Sequence, residues 1–227
     1  MSIGFDIKSV LAEVGSAFTI VRDAGNVTGE YLTSEPNSQV TKPFIQEFFL
    51  EARLAYDTAA IVGDIIQINV TAEKFIVMNK APRIFENEVF EYPSVLYKCN
   101  VVADILRPTE TRDADYLYRT AWEPVAIDVD CLITSPLYGH DLETDQELGL
   151  IGIELHEMYV PSSLGVQALD RIRISSSEYY RVETVKPRRY SAVDVIELGV
   201  DTRATTTSST STTTSSSSST STTTTTA

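Results

Sequence analysis

One stretch of this chain occurs twice, and no other feature restricts the possible folds as much. In residues 63–85, Asp64, Ile66 and Ile68 alternate with intervening residues as a half-buried strand does. A short turn follows, then Phe75 and Val77 repeat the alternation, and Pro82 ends the second strand. Residues 169–190 place Asp170, Ile172 and Ile174 in the same relation. After a one-residue gap in the turn, Glu73, Phe75, Val77, Pro82, Arg83 and Phe85 match Glu178, Tyr180, Val182, Pro187, Arg188 and Tyr190. Self-similarity of this kind decides architecture before any motif is considered. It predicts two related small β-modules.

The rest of the chain reads in the same class. Ile3, Ile7, Val10, Leu11 and Val14 fall at helical spacing and predict one amphipathic helix that stops at Gly15. It packs on its own domain or docks a neighbouring subunit. Turn clusters then separate short runs rich in β-branched and aromatic residues: 17–33, 44–54 (where helix competes with strand), 95–106, 116–133, 151–160 and 193–200. The expected fold is mainly β: two small SH3-like barrel modules with an N-terminal helix. The polar run 107–115 suggests the boundary, dividing the chain into 1–106, 107–203 and a tail, 204–227. Residues 205–226 are all Ser or Thr, with no apolar surface to bury, and predict a tail that is disordered unless a partner orders it. Thr favours extended backbone, so a neighbour's strand edge is one such partner.

Bulk properties narrow the function. With 227 residues and a 43% hydrophobic fraction the chain can build two real cores. The start lacks a basic region followed by a long apolar run, and no apolar stretch approaches a membrane span. Cys99 and Cys131, without CxxC spacing, suggest neither a disulfide framework nor a cysteine zinc site, so cytosolic assembly is expected. The formal charge of −14 argues against gripping nucleic acid by its phosphates.

Candidate chemistry is sparse. The two histidines are His140, beside Asp141 and Glu143, and His156, between Glu154 and Glu157. In a strand, Glu154 and His156 share a face while Glu157 points away. No HExxH, nucleophile elbow, P-loop or GxGxxG is present. Asp64 and Asp170 open equivalent strands, so their expected job is to accept backbone hydrogen bonds in the preceding turn. Arg83, Arg188 and Arg189 suggest intersubunit salt bridges, and Trp122 and the aromatics Phe75, Phe85, Phe90, Tyr92 and Tyr97 suggest core. No catalytic, cofactor-binding or metal-ligating residue is assigned, and the chain is read as non-enzymatic.

The pattern Gly63-Asp64-x-Ile66-x-Ile68, a short turn, then Phe75-x-Val77 and a Pro-ended strand resembles the small SH3-like barrels of tailed-bacteriophage head–tail connector proteins. The likeness covers residues 63–85 and, more weakly, 169–190. It implies a structural virion protein: a homo-oligomeric ring at the neck, touching portal, connector or tail proteins, with DNA passing through and no membrane or cofactor. Two modules and a Ser/Thr tail depart from the single barrel of simpler connectors, leaving the station open. The alternatives are a metal-assisted hydrolase built on His140 and His156, or a β-rich adhesion module.

Overall fold

A computed structural model describes residues 3–22, 24–36, 48–112, 118–134, 156–187 and 189–203. The helix α1 spans Ile3–Val14. Gly15 ends it, its amide bonded to the Leu11 carbonyl. Leu11 and Gly4 face inward, Gly4 against the Tyr56 ring. Among the described residues no helix is long and apolar enough to cross a membrane.

After α1 the described residues are mainly β structure, with one 3-10 turn at Ser162–Leu164. The first barrel comprises β1 (Ser16–Val21), β2 (Val27–Pro36), β3 (Phe49–Ala55), β4 (Ile65–Ile68), β5 (Lys74–Lys80) and β7 (Glu88–Lys98), with a short β6 (Arg83–Phe85) leaning on β7 from outside. The strand order is β3-β2-β1-β4-β5-β7, and pairing of β3 with β7 closes it. The second barrel comprises β8 (Val101–Arg112), β9 (Tyr118–Thr134), β10 (His156–Pro161), β11 (Arg171–Arg173), β12 (Tyr179–Lys186) and β13 (Val193–Val200). Its order is β10-β9-β8-β11-β12-β13, closed by β10 and β13. The two orders are the same.

The match extends to register. Ile20 pairs with Ile66 as Ile105 pairs with Ile172, and Val77 with Leu96 as Val182 with Leu198. Both barrels shift register at two matching places, Phe18/Ile20 and Ala103/Ile105, then Val77/Asn79 and Val182/Thr184, and the second barrel adds a shift at Ile105/Leu106. The first shift carries a positive-φ residue in each copy, Gly29 (86°) and Asp128 (56°). A bulge needs a residue able to sit there, and Asp128 is held by its amide bond to the Asp104 carboxylate. The cores correspond too, with compensating exchanges: Phe18 and Ala52 in the first stand where Ala103 and Met158 stand in the second, and Leu32 and Ala60 where Cys131 and Val166 stand. Large and small residues swap while the barrel volume stays filled.

Several expectations need correcting. The repeated stretch supplies only two of six strands in each barrel. Residues 95–106 are two strands, since β7 ends at Lys98 and β8 starts at Val101, so the expected boundary after residue 106 falls inside β8. Between them Cys99 donates its amide to Lys74 in one barrel and Asn100 to Cys131 in the other. Polar residues after 106 continue β8 because β9 pairs with them across a hairpin.

The barrels are packed directly. Ile76 and Met78 of β5 bury against Leu132, Tyr159, Val193 and Val195, with Tyr97 and Tyr159 edge to face at 5.3 Å. Six such side chains at roughly 2 kcal/mol each contribute on the order of 10 kcal/mol before ordering costs. That is enough to hold two barrels as one body.

Candidate functional site

The most conspicuous polar arrangement is built twice. Asp64 Oδ2 accepts the Ile61 amide at 2.8 Å, as Asp170 Oδ2 accepts the Gln167 amide at 2.8 Å. An arginine then grips each carboxylate, Arg22 just past β1 in one barrel and Arg107 within β8 in the other. Arg22 donates Nε to Asp64 Oδ1 at 2.9 Å and Nη2 to Oδ2 at 2.5 Å, and Arg107 donates to Asp170 at 3.0 and 2.9 Å. The same Nη2 reaches a carbonyl, Ala59 in one copy and Gly165 in the other, both at 2.9 Å. Each strand-opening aspartate is therefore the centre of a clamp tying a turn, a strand start and an arginine together. The expected turn role is correct, and the arginine is an addition. Both oxygens of each carboxylate are engaged in these bonds.

Between the barrels lies a cleft of about 840 Å³. Val21 and Ile61 line its first-barrel wall beside Arg22 and Asp64, and Val125 and Ile127 line its second-barrel wall beside Asp128 and Asp130. Gly63 has φ 90°, and a Cβ there would lie 2.6 Å from the Ala192 carbonyl oxygen. Its counterpart Leu169 has φ 75° with its side chain in solvent. Leu169 shows that a side chain is tolerated at this backbone conformation; at position 63 the close approach of the other barrel excludes one.

A second apolar surface is on α1. Leu11 and Gly4 face the barrel, while Ile3, Val10 and Val14 run along an exposed flank at helical spacing. Lys8 of the same helix pairs with Asp57.

The remaining sequence candidates are dispersed. His156 lies at the start of β10, its ring 5.4 Å from that of Tyr180. Glu157 is held by Arg189 at 3.4 Å and the Tyr159 hydroxyl at 3.1 Å. His140, Asp141, Glu143, Glu154, Arg188 and the Ser/Thr tail lie outside the described residues, and among those described no cluster of three or more His, Cys, Asp or Glu could hold a metal ion. Within the chain Arg83 pairs with Glu91 at 2.7 Å and Arg189 with Glu157 at 3.4 Å, and both arginine side chains are about half exposed. Phe75 is core, Tyr97 belongs to the inter-barrel contact, and Phe85 is half exposed on β6.

Trp122 also departs from expectation. It does not join a hydrophobic core; its ring stacks on two guanidinium groups, Arg171 at 3.8 Å and Arg203 at 4.7 Å. Asp201, its side chain buried, accepts from Arg171 at 2.5 Å and from Arg203 at 2.8 Å. Burial alone would raise the Asp201 carboxyl, but hydrogen bonds from Arg203 and Arg171 bring it down to about 2. Burial pushes the Cys131 thiol up to about 12, so it is an inert packing group.

Sequence reasoning missed the arginines of both clamps and the cleft. The one sequence signal for the former is an arginine just past the apolar part of the first strand in each copy. No family model matches the chain and no curated protein does. Two solved structures of MrkH from K. pneumonia, one from a P2(1) crystal and one in its apo state, are similar over 88% of this chain and 85% of theirs at 8% identity. Their TM-scores are 0.14 and 0.16, too low for the likeness to bear on fold or function.

Proposed function

We propose that this chain is a structural subunit of a tailed-bacteriophage head–tail connector, a non-enzymatic protein that assembles as a ring in the neck of the virion. The observation that carries the reading is that the connector-like strand–turn–strand motif sits in a closed barrel, twice, with its repeated aspartates spent on clamping the fold. Two barrels fused through an apolar contact make a stiff block, which is what a ring subunit under load requires. The block exposes apolar residues on separate elements, α1 and the cleft, and a ring needs unlike patches that meet on successive copies.

Charge supports the same reading. The tail from 205 onward is uncharged, so the whole −14 belongs to residues 1–204. A lumen that bound phosphates would hold a duplex by counterion release, whereas an acidic one lets it slide. Electron microscopy of virions, or of the protein assembled on its portal or tail neighbours, is the test. A closed ring at the head–tail junction is expected. A chain absent from particles ends this reading.

A further inference from the structure

We infer that the inter-barrel cleft receives the exposed flank of α1 from a second copy, and that this is the repeating contact of the assembly. The inference deepens the ring reading and rests on it. The duplication supplies an internal control for both surfaces. Ile61, Val125 and Ile127 in the cleft correspond, by register, to Gln167, Asn26 and Thr28 in the other copy. Those three counterparts are exposed polar residues facing solvent. The barrel fold therefore does not call for apolar side chains at these positions; they are apolar only where they line the cleft. Ile127 is nonetheless 60% exposed and Ile61 57%. Such residues gathered in a groove mark a binding surface.

The helix passes the same control. The second barrel starts at Val101, immediately after the first ends at Lys98, and closes with no helix before it. A helix is thus not needed to complete this barrel, and α1 is free to serve another purpose. One line of its residues, Leu11 and Gly4, attaches it to its own barrel. The neighbouring flank, Ile3, Val10 and Val14, points away, with Val10 55% and Val14 69% exposed. Positions 3, 10 and 14 are spaced by seven and four residues and form one continuous ridge on a helix.

Ridge and groove agree in size. A 12-residue helix is about 18 Å long and about 10 Å across, so half of it occupies roughly 700 Å³. The cleft offers about 840 Å³. The cleft is also fixed in advance, because the barrel contact and the Gly63–Ala192 approach set its walls. No residue of α1 lines the cleft of its own chain. A ridge on one element and a groove on another, both on the same chain, make a heterologous contact that repeats from copy to copy. Helix-in-groove docking needs only the apolar anchors at helical spacing that α1 carries.

The test uses the full chain and two surface variants, Val10→Asp on the ridge and Ile127→Asp in the cleft. Circular dichroism and melting establish that each remains folded. Self-association is measured by sedimentation velocity and native mass spectrometry. Wild type is expected to form oligomers, and each variant to associate at least about tenfold more weakly. Mixed, the two variants should form one-to-one dimers and nothing larger, because one intact ridge then meets one intact cleft. A variant that assembles like wild type, or a mixture that stays monomeric, overturns the contact. If wild type itself stays monomeric at millimolar concentration the contact also falls, while the ring reading is decided separately by virion microscopy. Rings that survive both substitutions keep the ring and remove this interface.

Discussion

Asp64 and Asp170 each bind a turn amide and an arginine that also holds a carbonyl. Changing either to Asn keeps an acceptor for the amide and removes the charge that the guanidinium faces. Breaking one partner of a mostly buried ion pair is more costly than never having had it. Asp64→Asn and Asp170→Asn are each expected to lower stability by about 2 kcal/mol in urea unfolding, by similar amounts because the clamps are alike. A difference of several kcal/mol between them would show that the clamps are not equivalent in energy. Asp201 carries a pH dependence. Its carboxyl lies near 2 in the fold against an ordinary 3.8, so the stabilisation is complete above about pH 4 and is lost as pH falls toward 2. The linkage is worth about 2 kcal/mol at neutral pH. Melting temperatures across this range should show Asp201→Asn below wild type at pH 7, with the gap narrowing by pH 2.

Among the elements, the turn before β4 comes so close to Ala192 of the other barrel that only glycine fits at position 63. Gly63→Ala would place a methyl group against a carbonyl oxygen and force the walls apart. A loss of about 1–3 kcal/mol is expected, with calorimetry showing a lower or split transition. Leu169→Gly, at the matching position in open solvent, should cost little or add stability. The elements also show which parts of the fold were legible in the chain. The helix over 3–14 and the strand pairs of the repeat follow local rules, periodicity and a turn, and both are found. The strands that close each barrel are not local: β3 pairs with β7 from 36 to 48 residues away, and nothing within either segment states that pairing. The clamp arginines lie 42 and 63 residues before their aspartates, outside the window that revealed the repeat. Trp122 departs from its expected place for a related reason, since its partners Arg171 and Arg203 come from β11 and from just past β13. The cleft was invisible because Ile61, Val125 and Ile127 look like core residues until the barrels are set side by side.

At the scale of the molecule, the two copies differ mainly where they meet other things. Between Ile20 and Val27 the first barrel spends a short loop, whereas between Ile105 and Ala126 the second extends a long hairpin from the same strand pair. The helix, the cleft and this hairpin are departures from an otherwise shared plan, and they are where differences in role are carried. The joint between the copies carries a mechanical consequence. Cys99 and Asn100 are the whole link, and each is bonded into a different barrel. There is no slack to pay out when the two ends of the chain are pulled. Tension passes from β7 into β8 through two residues and loads the packed faces of both barrels in shear, so the molecule yields by breaking a core and not by swinging on a hinge.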